Sequence, residues 1–282
     1  MAHLEYEPTE PLYHYCTPDG FRGILKSKVL WFNDLTQMND PRELELGLEH
    51  FIEALKSVRH NEYEGYRGFF LSILAARLTS LNLSQQAFCC CFSLAGDELP
   101  LWREYTNLEG LSIGFRPTAI KDINARVQKA NYLIGHSLEA LRAKVLEIAE
   151  PFDPDGEPAD DAFWTNASVS AYAYITAVKH GSWAYEREIR MIHVQAREMP
   201  ASFPADDSQW IMPSKREGRL GEVSYLPLPF GRYREAENKH RRAIAKVIIG
   251  PKCALTRQDV EKLLSDDGYT GVEVLESECQ IR

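Results

Sequence analysis

The sequence lacks any apolar stretch long enough to cross a membrane. Its longer apolar runs, such as Gly68–Ala76, fall well below the roughly 20 residues that a membrane-spanning helix needs. The opening residues, MAHLEYEPTEP, are acidic and contain no apolar core of a secretion signal. We therefore expect a cytoplasmic protein with no membrane partner.

Cysteine is scarce as well, with six residues and no C-x-x-C pair. Three are consecutive, Cys89–Cys91, and neighbouring residues on a strand point to opposite faces, which excludes a regular disulfide framework. Free and mostly buried thiols are the expectation. The Cys and His spacings give little support to a zinc site, and we expect no bound metal.

Positive charge is in deficit, since the formal net charge is −9. A protein that binds nucleic acid over much of its surface would need a positive net charge. One segment, Gly231–Lys246, is locally basic. It is either a solvated surface or a contact to phosphate or RNA, and in the second case Arg241 and Arg242 are the candidate nucleic-acid contacts.

Length and composition are those of a globular protein, with 282 residues, 44% hydrophobic and 26% charged. Strand and helix patterns are mixed without a strict βαβ rhythm, which favours an α+β class. We predict one α+β domain over residues 1–282, in which helices flank a mixed, split β-sheet. The acidic, proline-rich stretch Pro151–Asp161 is predicted to be an exposed insertion.

Local patterns predict the individual elements. Strands are predicted at Pro11–Thr17, Val29–Phe32, Ala87–Leu94, Gly110–Phe115 and Lys246–Pro251. Helices are predicted from Pro18, from a cap at Asn39 or Asp40 to about His60, over Tyr66–Leu81, over Leu138–Glu150, and from a Thr256 cap. Ser168–Val178 is rich in strand-forming residues, and residues 198–221 have the composition of a loop.

The segment Trp183–Val194, WAYEREIRMIHV, carries charged residues at the start of an apolar run. As a helix it would pair Glu186 with Arg190. As a strand it would place Glu186, Glu188 and Arg190 on one face, with the two carboxylates roughly 7 Å apart. The β-branched ending favours the strand. Glu188 would then either pair with Arg190 or face a cleft and stabilise positive charge.

Ordered blocks of the sequence resemble a bacterial domain-of-unknown-function family from about Leu12 to Cys253. The blocks are LYHYCT…ILKSKVLWFNDLTQMNDPRE, CFSLAGDELPLWREY…GLSIGF, WAYEREIRMI and IIGPKC. Some members of that family occur near abortive-infection and phage-defence genes. The resemblance implies a defence or toxin role, with a regulatory or antitoxin partner.

The first block also resembles the start of the ADP-ribosyltransferase superfamily, including its tRNA 2′-phosphotransferase and DNA-modifying toxin branches. In that superfamily a His followed by Thr or Ser on the first strand binds the adenosine ribose of NAD, and a late strand carries the catalytic Glu, often as E-x-E. The matching positions are His14 with Thr17, Trp31 or Phe32 as the aromatic residue, Ser93 on a middle strand, and Glu186 with Glu188.

This resemblance implies NAD as a substrate and a role for each matching residue. Cleavage of the nicotinamide–ribose bond develops oxocarbenium character, which Glu188 would stabilise. Glu186 would orient or deprotonate the acceptor, Trp31 would stack on nicotinamide, and His14 would bind a ribose hydroxyl. The acceptor would be a nucleic acid, a protein or water.

Other interpretations remain open from the sequence. His14 and Trp31 are also consistent with structural roles, and the chain is then a non-catalytic ligand- or protein-binding member of the same fold. A metal-dependent nuclease would use Glu186, Glu188 and Asp40 as oxygen ligands. Trp102 and Tyr105 share a helical face and are predicted to be core residues.

Overall fold

The computed structural model describes residues 3–38, 42–61, 66–133, 139–151, 161–198, 210–218, 221–230 and 239–281. The predicted cap at Asn39 or Asp40 lies outside the described residues, as do positions 152–160 of the predicted insertion and positions 231–238 of the basic segment. Within the described part, no helix has both the length and the apolar character needed to cross a membrane.

The elements alternate along the chain. The helices are α1 (Pro18–Ser27), α2 (Glu43–Asn61), α3 (Tyr66–Ser84), α4 (Leu99–Thr106), α5 (Pro117–Lys121), α6 (Glu139–Ala149), α7 (Asp161–Ile175) and α8 (Arg257–Asp266). The strands are β1 (His3–Leu4), β2 (Leu12–Cys16), β3 (Val29–Asp34), β4 (Gln85–Ser93), β5 (Leu111–Phe115), β6 (Arg126–Lys129), β7 (Asn131–Leu133), β8 (Val178–His180), β9 (Glu188–Ala196), β10 (Ser214–Gly218), β11 (Gly221–Pro229), β12 (Ile244–Ile249) and β13 (Glu273–Glu276). Short 3-10 helices cover Leu35–Gln37, Gly181–Glu186 and Lys239–Arg242.

The main sheet has mixed orientation and runs in the order β1-β6-β9-β4-β2-β5-β12-β13. It forks at β4, because one edge of this strand pairs with β9 while the other edge meets both β2 and β3. Tyr13 of β2 pairs with Ser93, whereas Asn33 of β3 pairs with Cys89. The two strands therefore diverge along β4 and leave a gap beside Cys90–Phe92.

Helices cover both faces of the sheet, and β4 supplies side chains to both cores. Phe88, Cys90 and Phe92 pack with α1, α5 and α8 in a first core, whereas Ala87 and Cys89 pack with α2, α3, α6 and α7 in a second core. This alternation follows from the two-residue side-chain period of a strand. The mixed α+β class with helices flanking one mixed sheet is thereby confirmed. All six cysteines are free, and Cys16, Cys89 and Cys90 are buried.

Several local predictions are confirmed. Each of the five predicted strands overlaps an observed one: β2, β3, β4, β5 and β12. Helix α8 begins after Thr256, whose side chain accepts from the amide of Asp259 while the Asp259 carboxylate accepts from the Thr256 amide. This reciprocal pair is the capping box that stabilises a helix N-terminus.

The prediction of strand character at Ser168–Val178 is wrong, because α7 continues to Ile175. Ala167, Ala171 and Ile175 recur at four-residue spacing and are all buried in the second core. Packing of this stripe overrides the strand propensity of the neighbouring Tyr and Val residues. Residues 198–221 are not all loop either, since β10 pairs with β11; its exposed Lys215 and Glu217 gave no apolar signal.

The segment Trp183–Val194 is a strand only from Glu188 onward. Gly181–Glu186 forms a 3-10 helix, which starts where the His180 side chain accepts from the Ser182 amide. Arg187 then adopts a left-handed conformation, with φ of 47°. The prediction that Glu186 lies on the strand is therefore wrong, because the backbone turns between the two glutamates.

Candidate functional site

A cleft of about 600 Å³ opens where β2 and β3 diverge from β4. Small-molecule sites have volumes in this range. Of the residues predicted for NAD binding and catalysis, all except the alternative Phe32 line the cleft: His14, Thr17, Trp31, Ser93, Glu186 and Glu188. The fork in the sheet is what brings these distant chain segments together.

His14 bridges the gap between β2 and β4. Its Nδ1 lies 2.9 Å from the Cys91 carbonyl oxygen. A carbonyl only accepts, so Nδ1 carries the proton and Nε2 is the acceptor nitrogen of the neutral ring. Burial lowers the pKa of His14 despite the opposing effect of this hydrogen bond. The neutral imidazole suits contact with a hydroxyl group of a ligand.

The hydroxyl groups of Thr17 and Ser93 form hydrogen bonds with the backbone of the protein itself. Thr17 Oγ1 accepts from the Gly20 amide at 3.1 Å and caps α1. Ser93 Oγ donates to the Glu186 carbonyl at 2.7 Å and accepts from the Ala95 amide at 3.0 Å. Ser93 therefore fixes the turn that carries the two glutamates.

The aromatic residue at the cleft is Trp31 and not Phe32. These neighbours on β3 point to opposite faces, and Phe32 is fully buried in the first core whereas Trp31 is 48% exposed. The Trp31 ring lies 4.8 Å from that of Tyr225 and 5.4 Å from the Arg216 guanidinium. An indole held in this way offers a flat surface to a ligand ring.

Glu186 and Glu188 converge on Lys179 even though the backbone turns between them. Lys179 Nζ lies 2.5 Å from Glu186 Oε2 and 3.1 Å from Glu188 Oε2. The Tyr105 hydroxyl donates to Glu186 Oε1, and Tyr105 also lines the cleft. The prediction that Tyr105 is a plain core residue is therefore incomplete, whereas Trp102 is fully buried as expected.

Arg190 and Glu43 complete a buried ionic cluster. Arg190 Nε lies 3.2 Å from Glu188 Oε2, and Arg190 Nη2 lies 2.5 Å from Glu43 Oε2. The predicted pairing of Glu188 with Arg190 is thus present, and it lies beside the cleft. The cluster contains three carboxylates and two cations, so its formal charge is −1 when all of them are ionised.

The surroundings shift the pKa values of the two glutamates in opposite directions. Burial alone would raise the pKa of Glu188, but the charges of Arg190 and Lys179 outweigh burial and hold this pKa below the ordinary value. For Glu186, burial dominates over the attraction of Lys179 and raises the pKa. Glu188 is therefore the more stable anion, and Glu186 is the stronger base of the two.

The two oxygens of Glu188 differ in their contacts. Glu188 Oε2 contacts both cations, whereas Oε1 is buried and accepts from no nitrogen or oxygen donor among the described residues. The neighbouring Cys91 thiol also helps to lower the pKa of Glu188. Buried carboxylate oxygens in native proteins are normally satisfied. An acceptor of this kind at the wall of a cleft can bind a ligand hydroxyl or face a developing positive charge.

Arg241 and Arg242, the predicted nucleic-acid contacts, lie apart from this cleft. Both are exposed on the 3-10 helix Lys239–Arg242, which contacts α5 and β12, and neither residue is part of the cleft lining. The structure therefore does not bring them together with the two glutamates.

The arrangement does not favour the metal-dependent alternative. Lys179 Nζ occupies the position between Glu186 and Glu188 that a shared cation would take. Asp40, the third ligand in that hypothesis, lies outside the described residues. The described ranges contain no cluster of three or more His, Cys, Asp or Glu side chains placed to hold a metal ion.

Sequence reasoning missed Glu43, Lys179 and Arg216 as cleft residues. Glu43 looked like a capping-box acid at the start of α2, and Lys179 is a lone lysine directly after the mostly apolar run Ala171–Val178. A buried lysine needs a counter-ion, so a lysine in an apolar context is the one local signal that pointed to the cluster.

Comparison of the chain with protein-family models, with curated proteins and with solved structures gives no match.

Proposed function

We propose that this protein is an ADP-ribosyltransferase-like enzyme that cleaves the nicotinamide–ribose bond of NAD and transfers ADP-ribose to a macromolecular acceptor. One observation carries the proposal: His14, Trp31 and Glu188, which are far apart in the chain, line the same cleft. The resemblance to a family with some members near phage-defence genes adds a role as a toxin-like effector that acts on nucleic acid or protein.

Glu188 is the catalytic carboxylate in this proposal. Its Oε1 binds the hydroxyl next to the reacting ribose carbon and stabilises the oxocarbenium ion as the C–N bond breaks. Nicotinamide leaves with the bonding electron pair and becomes neutral. Trp31 stacks on a ring of the dinucleotide, and His14 Nε2 accepts from a ribose hydroxyl.

The acceptor then attacks the ribose carbon and loses a proton. Both Glu186 oxygens receive hydrogen bonds, one from Lys179 and one from the Tyr105 hydroxyl. We assign the proton transfer to a relay in which the Tyr105 oxygen takes the acceptor proton and passes its own to Glu186. The raised pKa of Glu186 suits it to receive this proton.

A second candidate function is ligand binding without turnover. The contacts of Glu188 Oε2 with Lys179 and Arg190 favour it, because two adjacent cations weaken the field that a carboxylate exerts on a positive centre. A protein of this kind would bind NAD and release no nicotinamide.

The test is nicotinamide release from NAD by the parent and by Glu188→Gln, with a cell extract as the acceptor source. We expect release by the parent and a loss of at least about 100-fold in the variant, with NAD binding retained, since electrostatic stabilisation of this kind contributes about 10²–10³ in rate. Glu276→Gln on β13 is the matched control and should behave like the parent. Equal rates for Glu188→Gln and the parent would refute the assignment.

The acceptor is identified in the same reaction with NAD labelled in its adenylate phosphate. Protein, RNA and DNA fractions are separated, and the label in each is counted. Label in one macromolecular fraction supports transfer to that class, whereas release of nicotinamide with label only in free ADP-ribose would reduce the proposal to hydrolysis of NAD.

A further inference from the structure

Arg216 of β10 lines the same cleft as the two glutamates. Its Nη2 donates to Asn33 Oδ1 at 3.0 Å, and its guanidinium lies 5.4 Å from the Trp31 ring. Its Nε is buried and has no hydrogen-bond partner among the described residues. Arg216, Asn33 and Trp31 all line the cleft.

A buried N–H of a permanent cation without a partner is costly in a native protein, because the lost hydration is not replaced. The planar guanidinium presents parallel donors that fit a phosphate oxygen pair. The hydrogen bond to Asn33 and the packing on Trp31 hold the Arg216 guanidinium in one orientation. The site is therefore organised for an anion before any ligand arrives.

The cleft also has opposite charges on two of its walls. Glu186 and Glu188 belong to a cluster of formal charge −1, on the wall formed by β9 and the 3-10 helix before it. Arg216 supplies a positive charge on the wall formed by β3, β10 and β11. A ligand with a positive ring at one end and phosphate further along matches both walls.

We propose that Arg216 is a phosphate-binding residue that makes the cleft select nucleotides over nucleosides. The identity of the natural ligand as a dinucleotide rests on the proposed function, whereas the phosphate contact itself follows from Arg216, Asn33 and Trp31. In NAD the contact falls on the pyrophosphate, which directs the nicotinamide ribose toward Glu188.

The test compares ADP with adenosine, which share a base and a ribose and differ in phosphate. Calorimetric titration of the full chain measures both affinities in the parent, in Arg216→Gln and in Lys215→Gln. Lys215 is the matched control, since it is the adjacent residue on β10, points to the other face and pairs with Glu222 in solvent. Urea unfolding of each variant checks that the fold is retained.

We expect the parent to bind ADP at least about 10-fold more tightly than adenosine. Arg216→Gln should lose about 10- to 100-fold in ADP affinity and keep its adenosine affinity within about 2-fold, since a hydrogen bond to a charged group has this magnitude. Lys215→Gln should match the parent. Unchanged ADP binding in Arg216→Gln, equal losses for both ligands, or no preference for ADP in the parent would each overturn the proposal.

Nicotinamide release separates this inference from the proposed function. A parent that binds ADP through Arg216 but releases no nicotinamide supports the phosphate site and contradicts the enzymatic proposal. A parent that releases nicotinamide with the same KM for NAD as Arg216→Gln contradicts the phosphate site and leaves the enzymatic proposal intact.

Discussion

Replacing Lys179 by methionine removes the cation that three carboxylates share. Lys179 Nζ lies 2.5 Å from Glu186, 3.1 Å from Glu188 and 3.5 Å from Glu43, and the side chain is almost fully buried. Methionine has a similar length and fills the same space, so the variant tests charge and not packing.

The expected cost follows from burial. Deleting one partner of a buried ion pair leaves an uncompensated charge and lowers the free energy of unfolding by about 3–5 kcal/mol. Arg190 still contacts Glu43 and Glu188, so Glu186 loses the most, with only the Tyr105 hydroxyl remaining. We therefore expect a loss of about 3 kcal/mol at pH 7.5, the lower end of that range.

The loss of unfolding free energy in Lys179→Met should become smaller as the pH falls. The pKa of Glu186 is already raised, and removal of Lys179 raises it further above its value in the unfolded chain. The folded variant then binds more protons than the unfolded chain between those two pKa values, so its stability increases on acidification through that window. The stability difference from the parent is accordingly smaller at pH 5 than at pH 7.5.

Urea unfolding at the two pH values measures both effects. Lys215→Met is the control, because the Lys215–Glu222 pair is exposed and should contribute little at either pH. A Lys179→Met variant within about 1 kcal/mol of the parent at pH 7.5 would show that Lys179 contributes no more than an exposed surface pair, contrary to its burial among three carboxylates.

The remaining predictions concern the residues around the cleft. Trp31→Ala should weaken binding of ADP and leave the free energy of unfolding within about 1 kcal/mol of the parent. Phe32→Ala should lower the free energy of unfolding by about 3–5 kcal/mol because it opens a cavity in the core. Calorimetry measures the binding and urea unfolding the stability, and equal effects of the two variants would contradict the assignment of Trp31 and Phe32 to opposite faces of β3. Ser93→Ala leaves the Glu186 carbonyl and the Ala95 amide unpaired, which should cost about 1–3 kcal/mol in urea unfolding and slow nicotinamide release. Parent-like stability and rate in Ser93→Ala would show that the hydroxyl does not position the glutamates.

The parts of the fold that depend on local patterns could be predicted from the sequence. The continuous apolar run that contains Cys89–Cys91 is the buried central strand, and the Thr256–Asp259 pair marks the start of α8. Strand β10 was not predicted because its sequence, SKREG, contains no apolar side chain, and α7 was not predicted because its buried stripe is largely alanine. In both cases tertiary packing, which the local pattern does not report, decides the structure.

Some residues of the candidate site could be predicted from the sequence, but their contacts with one another could not. A motif directs attention to His14 and to Glu188, but no local pattern predicts that Glu43 at the start of α2 contacts Arg190 on β9, or that Arg216 from an edge hairpin faces Trp31. These contacts join segments far apart in the chain. They depend on where the sheet forks, which the register of β2 and β3 on β4 determines.

An experimental structure of Glu188→Gln with NAD bound tests the proposed function most directly, since we expect this substitution to slow cleavage and to preserve the cleft. We expect the nicotinamide ribose within hydrogen-bond distance of residue 188, a ribose hydroxyl at His14 Nε2, and a ring of the dinucleotide against Trp31. A cleft that stays empty at millimolar NAD, or a dinucleotide bound elsewhere on the protein, would contradict the proposed function.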